Sequence, residues 1–600
     1  MSYTHTLTLQ DPSPLSINLK DQGLGNMLSL RMSLGSTTLL SGARPTLTNI
    51  LFSANEPGFT FEPWDITTLY QDRAGTTPVT AAGQSVGLRL SKDQGLRQGP
   101  ELVTNGTFDT GITGWTNLTP TGSSFSWNGG GWMDLVFTTG LPTISTSFPT
   151  TIGKSYVVTA SKLGTPSVIN IGSSAGGVNL FNQANSSSDL RAFFTATTTT
   201  THLSVARISS GTSSIDNISV RELAGNHEVA VSDAKRGVYG WMPKTGRRNL
   251  LTYTEQFDNA AWVKGTGGSI SSNSAIAPDG TMTAHTYTWA TSSPSFAYLS
   301  QQAVGVSQNP NVYSVWLKRP SGTGSRTVKL AVTDLVVSTA TSGTFTVTEV
   351  WQRFEFTRTS ASTTGFVGAG LFAGTSGSPI AAGELLEVWH PQLEPGSTAT
   401  AYQRVTSQYD ITEAGVPTCY YVQADGVDDA YVTPTIIPNT DKAQVFAGVR
   451  KLSDAAASLF IEHSANVNSN NGAFEIGPGT FSTATGPNYH ATSKGTLLSG
   501  LDTPASYTSP VTNVVSALMD ISGDRNTIRV NGTQVAQSTT NQGTGNFLAY
   551  PAYMYSRGGI SAPFNGLDFG HAVRFGPNLD AATIARVESL IARNTPEVTL

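Results

Sequence analysis

The sequence predicts an all-β protein, a multi-domain array of β-sandwiches with one short C-terminal helix. A repeat is the first observation behind this. Leu102-Val103-Thr104 is followed by Phe108-Asp109 and Trp115, and Leu250-Leu251-Thr252 is followed by Phe257-Asp258 and Trp262. The two stretches also close alike, on Ile218, Val220 and Leu223 in one and on Val388, Gln392 and Leu393 in the other. Composition is the second. Asp, Glu, Lys and Arg make up 12% of the chain, about half the usual share. Sixty-one Gly and 30 Pro punctuate runs rich in Thr, Val, Phe and Tyr, residues that favour turns and strands respectively. Size is the third. Six hundred residues, 38% of them hydrophobic, are too apolar for disorder and too many for a single core.

Charge and cysteine content narrow the function classes. The net charge is −5 with no basic block, which argues against a nucleic-acid partner, because phosphate binding needs clustered Lys and Arg. Cys419 is the single cysteine, so no internal disulfide forms. The start, Met1-Ser2-Tyr3-Thr4-His5-Thr6, lacks the charged and apolar regions of a signal peptide. No apolar run approaches the roughly 18 residues of a membrane span. The expectation is a protein made in a reducing cytoplasm, with no membrane insertion, that meets the outside by lysis or by assembly into a particle.

Taken in order, residues 1–45 alternate loosely around Leu7, Leu9, Leu15, Ile17 and Leu19. That is too few strands for a core, so the segment reads as an N-terminal anchoring arm that pairs with a neighbour. Residues 46–98, with Trp64, Tyr70 and the run 86–90, are too short for an independent domain. The first repeated module covers 99–223, with strands expected at 156–160 and 192–196. A connector, 224–248, carries Trp241 and several Lys and Arg. The second module covers 249–405, where 313–318, 327–332 and 354–356 alternate with period two. The last unit is 406–600. Its Asn531-Gly532 lies between alternating runs, and this pair marks a tight hairpin because both residues tolerate positive φ. The helix is capped by Asp580, carries Ile584, Val587 and Ile591 on one face, and stops at Asn594 and Pro596.

Several segments resemble bacteriophage virion proteins. The run from Val515 to Val535, Asp425-Gly426-Val427-Asp428-Asp429-Ala430-Tyr431, and the close from Phe564 to Leu600 are similar to concanavalin A-like/laminin-G-like sandwiches of such proteins. Residues 99–223 resemble carbohydrate-binding-module jelly rolls. Residues 249–405, with Asn249-Leu250-Leu251-Thr252-Tyr253 and Gln392-Leu393-Glu394-Pro395-Gly396-Ser397, resemble a second jelly-roll-like module of phage tail proteins. The resemblance implies that stretches such as 70–80 and 225–227 belong with 423–429. On that reading 46–98 and 406–600 form one split sandwich, and both jelly rolls are insertions into it, as exposed loops tolerate. It further implies a structural Ca²⁺ in the first jelly roll, held by Asn105 and Asp109 in the opening and Asp216 in the last strand. Oxygen ligands from distant loops would staple the sandwich shut.

Side-chain chemistry points to binding. Trp127 and Trp132 flank Asn128-Gly129-Gly130-Gly131. Aromatic faces stack on pyranose rings and amides bond their hydroxyls, so Trp127, Asn128 and Trp132 are the candidate glycan residues. Trp115 and Trp262 recur at matching positions and read as core. Gly172-Ser173-Ser174-Ala175-Gly176 fits a nucleophile elbow only if a helix follows, and no helical pattern does. Gly153-Lys154-Ser155 lacks the first glycine of a phosphate loop, since Phe148 stands there. The eight histidines show no metal-ligand spacing. Asp425, Asp428 and Asp429 form the densest acidic cluster and are the nearest thing to a glycosidase pair. The resulting expectation is a non-enzymatic tail-fibre or appendage subunit that adheres to host cell-surface polysaccharide. Residues 1–45 would contact other virion proteins, and the resemblance implies a homotrimer. The alternatives are a capsid, neck or head-fibre decoration protein and a polysaccharide-degrading enzyme.

Overall fold

The computed structural model describes residues 46–164, 167–185, 189–265, 268–289, 297–304, 310–333, 342–358, 366–373, 382–481 and 485–600. The arm 1–45 and its His5 lie outside the described residues. The rest is antiparallel β-structure arranged as three sandwiches, as composition and alternation predicted.

Each repeated module is a sandwich of two five-stranded sheets. In the first, Phe108 and Trp115 pack 5.3 Å apart at 46°, and in the second Phe257 and Trp262 pack 4.6 Å apart at 45°. The indole N–H of Trp115 donates to the Asn105 carbonyl and that of Trp262 to the Tyr253 carbonyl. The repeated Phe-Asp…Trp opening is therefore a repeated plug: the ring pair seals one end of the core, and the buried N–H finds a backbone partner. Both tryptophans are buried, together with Ile218, Val220, Val388 and Leu393 at the closing strands.

The large sandwich draws its strands from distant parts of the chain. One sheet runs through Val238–Pro243, Thr418–Asp425, Asn565–Phe575, Lys442–Lys451, Val511–Asp520, Arg525–Val530 and Thr533–Ser538, and Gly58–Phe61 also pairs with Asn565–Phe575. The facing sheet includes Leu69–Tyr70, Leu88–Arg89, Glu228–Ala230, Tyr431–Val432 and Tyr489–Lys494. One hydrophobic core, from Phe59 through Tyr239 and Val422 to Phe575, fills the space between them. The chain leaves this sandwich after Leu88–Arg89 and returns in the adjacent strand Glu228–Ala230. It leaves again after Val238–Pro243 and returns in the adjacent strand Thr418–Asp425. Each repeated module is thus strung between two neighbouring strands, so its ends are close and the host sheet stays unbroken.

Local signals were met where they were strong. Asn531 and Gly532 take φ of +46° and +76° between Arg525–Val530 and Thr533–Ser538. Helix Ala581–Arg593 starts at Asp580, whose side chain accepts from the Thr583 N–H, and buries Ile584, Val587 and Ile591 on the outer face of the large sheet against Phe446, Val514 and Ala572. The expectation of a single helix needs one correction. Leu47–Leu51 forms a second, capped by Thr46, that buries Leu47 and Leu51 in the same cluster. Five residues are too few for a helical period to show in sequence.

A buried charge cluster joins the separated pieces. Arg89 pairs with Glu228 at 2.5 Å and lies 3.6 Å from Asp568. Its guanidinium also donates to the Tyr555 hydroxyl, which donates to Asp568. His571 reaches Asp568 at 2.8 Å through Nδ1 and Glu228 at 3.0 Å through Nε2. Arg89 stacks 3.6 Å from the Tyr431 ring and 4.4 Å from that of Phe61. Burial opposes a charged imidazole here, but Asp568 and Glu228 outweigh it and lift His571 to about 9. Burial likewise works against the Asp568 carboxylate, and His571 and Arg89 overcome it and hold its pKa low. Two cations then face two anions, and the cluster is neutral at pH 7. A free imidazole titrates near 6.5, so stability from His571 is complete below about pH 6.5 and is lost as pH rises through about 9. Thermal unfolding is accordingly expected to move to lower temperature between pH 6.5 and 9.5. His571→Gln should cost about 3–5 kcal/mol at pH 6.5, by leaving carboxylate charge uncompensated, and should flatten that pH dependence.

Candidate functional site

The predicted residues meet at one edge of the first inserted sandwich. Strand Ser124–Trp127 turns into Met133–Phe137 through 128–132, where the Asn128 carbonyl oxygen of the side chain accepts from the N–H groups of Gly130 and Trp132. Gly129 and Gly131 supply the φ of +78° and +89° that the turn needs. Asn128 is therefore a turn-forming residue whose amide oxygen is already engaged. Trp127 is 41% exposed, and its indole N–H donates to the Phe108 carbonyl at 2.7 Å. The exposed ring thus lies across the opening segment. Trp132 is half-buried.

Asp109 sits under this turn, its Oδ1 3.7 Å from where a Cβ at Gly131 would stand, and its Oδ2 accepts from the Thr107 hydroxyl. Asp216 accepts from the backbone and side-chain N–H groups of Asn217. Burial raises the Asp216 pKa, the Asn217 N–H opposes this, and the charge of Asp109 raises it further. Two carboxylates from opposite ends of the module therefore repel one another. Asn105, at φ +54°, points its Nδ2 at the carbonyls of Gly111 and Thr113 and holds the opening loop. Its remaining oxygen and the two carboxylates are hard donors of the kind Ca²⁺ takes.

Two clefts were not read from the sequence. The larger, about 610 Å³, lies where the first inserted sandwich docks on the large one. Docking is fixed by the Phe193 N–H donating to the Ala74 carbonyl at 2.7 Å and by Tyr70 against Phe193. Phe181, Phe193 and Phe194 give the cleft an aromatic wall, with Asn179 and Asn182 beside it and Asp72, Arg73 and Asp233 across from them. The Asp72 carboxylate is taken up by the N–H groups of Thr76 and Thr77. Arg73 donates through Nε to the Ala230 carbonyl, and its terminal nitrogens have no partner among the described residues. Asn179 accepts from the Ser173 N–H and Asn182 donates to Asn170, leaving one Nδ2 and one Oδ1 for a ligand.

The smaller cleft, about 370 Å³, opens at the edge of the large sandwich between Trp64, Trp241 and Tyr420. Trp64 and Trp241 stood out in the sequence only as tryptophans outside the repeated modules.

The candidate catalytic motifs resolve into turns. After Gly172 the chain turns through 173–176 and enters strand Phe181–Asn185, with no helix, and Gly153 occupies a turn at φ +82°. Asp425, Asp428 and Asp429 bring oxygens within 4.8 Å of one another. Asp429 accepts from the Asp425 N–H, and Asp425 from the Val427 N–H, so they also close a turn. Burial, with the charges of Asp425 and Asp428, raises Asp429 to about 6.

No protein-family model matches the chain, and neither does any curated protein. Among solved structures, a quarter of the chain is similar to 83% of the CBM40 of Ruminococcus gnavus IT-sialidase bound to α2,3-sialyllactose, at 17% identity and a TM-score of 0.21 over 25% of this chain. A second is the N-terminal CBM22-1–CBM22-2 tandem domain of Paenibacillus barcinonensis Xyn10C, covered completely by 51% of this chain at 12% identity and a TM-score of 0.19. A third is the botulinum neurotoxin serotype D binding domain, of which 41% is covered by 28% of this chain at 11% identity and a TM-score of 0.22. What this chain binds has to come from its own side chains.

Trp127→Phe keeps the ring face and removes the donor to Phe108. It is expected to cost the first inserted sandwich about 1 kcal/mol, read as faster amide hydrogen exchange through residues 105–115.

Proposed function

We propose that this protein is a non-enzymatic adhesin for polysaccharide, a subunit of a bacteriophage tail fibre or appendage that displays its sandwiches to host-surface glycans. The cleft at the module seam carries this reading. It brings an aromatic wall together with amide groups of unfilled hydrogen-bonding capacity and a guanidinium with free donors. Sugars present a C–H face and hydroxyls that donate and accept, which is what such a lining matches. Of the two carboxylates that line it, Asp72 and Asp233, Asp72 is bound by its own turn. The half-exposed Trp127 adds a second aromatic surface on the same sandwich. The sequence resemblance supports the virion setting.

On an array of bacterial capsular and lipopolysaccharide glycans, the full chain is expected to bind a subset. The double variant Asn179→Ala/Asn182→Ala should weaken that binding at least about tenfold, from two lost hydrogen bonds of about 1 kcal/mol each. Binding to none of the glycans, or binding unaffected by the double variant, would remove the reading. Immunogold imaging of whole particles places the protein on tail or head.

A structural Ca²⁺ belongs to the same reading. Asp109, Asp216 and the Asn105 side-chain oxygen would hold it, and it would neutralise the repulsion between the two carboxylates. Calcium is expected to raise the melting temperature and chelator to lower it, with Asp216→Asn insensitive to both. A wild-type protein indifferent to chelation would count against the ion.

A further inference from the structure

The edge cleft of the large sandwich has walls of Trp64, Trp241 and Tyr420 and a floor of Tyr239. Tyr239 and Tyr420 stack in parallel, 6.3 Å apart at 9°, while Trp241 meets both nearly edge-on at 6.0 and 6.1 Å. Two of the rings are locked by their polar ends. The Trp241 indole N–H donates to Asp410 at 2.8 Å, and the Tyr239 hydroxyl donates to the Pro63 carbonyl at 3.1 Å. Ordering entropy has therefore already been lost on folding, which favours a ligand that needs a rigid aromatic face.

The lining has a second property. All of its residues are uncharged. The nearby acids are answered elsewhere, Asp65 by Lys92 at 2.6 Å, and Asp410 by the Trp241 N–H and by Arg404 at 3.5 Å. The hydroxyls of Thr412, Thr418 and Tyr420, however, have no hydrogen-bond partner among the described residues, although all three residues line the cleft. A charged ligand would be desolvated here without a counter-charge. An apolar side chain from a protein partner would cover the three hydroxyls and leave them unpaired. A neutral sugar satisfies both constraints, with its C–H face on the indole and its hydroxyls on the threonines and the tyrosine. The volume of about 370 Å³ lies at the small end of ligand pockets, which suits one ring better than a chain of rings.

We infer that this cleft is a second glycan site, selective for a single neutral pyranose residue and separate from the seam cleft. The inference rests on the adhesion reading for its biological sense, while its lining chemistry stands by itself.

The test uses the full chain with the methyl glycosides of glucose, galactose and mannose as probes, followed by tryptophan fluorescence and calorimetry. At least one neutral glycoside is expected to change the fluorescence saturably, and the matching uronic acid to do so at least tenfold more weakly. The near-isosteric variant Thr412→Val/Thr418→Val should weaken this binding at least tenfold while leaving binding at the seam cleft, as probed by Asn179→Ala/Asn182→Ala, intact. Trp241→Ala should abolish the fluorescence response; because that ring packs on the core, the threonine variant decides the matter if Trp241→Ala does not fold. Three results would overturn the inference: no response to any neutral glycoside, a response the threonine variant leaves unchanged, or tighter binding of an aromatic peptide such as an acetylated, amidated Trp-Pro-Trp by the threonine variant than by wild type. The adhesion reading fails separately, when array binding is absent or indifferent to the seam substitutions.

Discussion

The large sandwich depends on a set of charges buried at its centre. Arg89 precedes the first insertion, Glu228 follows it, and Asp568 and His571 lie near the C-terminus. None of the four is solvated, so each is tolerable only where the others are. Hydrophobic contacts would accept many registers between these strands, whereas charges at 2.5 to 3.0 Å accept one. The cluster therefore acts as a registration device for strands whose sequence separation makes their encounter entropically slow. The aromatic rings of Phe61 and Tyr431 complete it, packing against the Arg89 guanidinium.

Stringing each inserted sandwich between adjacent strands has a consequence for binding. The host sheet continues across the gap, so the inserted module leaves from a rigid base and folds back on it. The first does so through Phe193 and Ala74, and its cleft with the turn 71–77 exists only because of that docking. Lys244, just past the last strand before the second insertion, donates to the carbonyls of Ala592, Thr595 and Val598 at the end of the C-terminal helix. A cation at the negative end of the helix ties the exit of the chain to its terminus. The cleft at the seam of the first inserted sandwich is held by two modules at once.

Aromatic residues divide into two roles by what happens to their polar ends. Trp115 and Trp262 bury the whole ring and give the N–H to a backbone carbonyl inside their own module. Trp127 and Trp241 also satisfy the N–H, with Phe108 and Asp410, but keep part of the ring accessible. A satisfied N–H with an open face is a pre-positioned stacking surface, and this combination cannot be told from a core tryptophan by spacing.

The sequence by itself determined the class of structure and its local punctuation. Alternation in 313–318 and 327–332, the Asn531-Gly532 turn, the Asp580 cap with Ile584, Val587 and Ile591, and the two Phe-Asp…Trp openings all became the elements their patterns specify, because each is governed by neighbours within a few residues. It also placed Asp109 and Asp216 in one module, although not the distance between them. Only the tertiary structure decided what depends on contacts across hundreds of residues: the neutral cluster of Arg89, Glu228, Asp568 and His571, the pairing of Gly58–Phe61 with Asn565–Phe575, and the two clefts. Arg73 and Asn179, or Trp64 and Tyr420, have no periodicity that relates them. They share a surface because sheets twist and pack, and packing geometry is a property of the assembled chain rather than of any window along it.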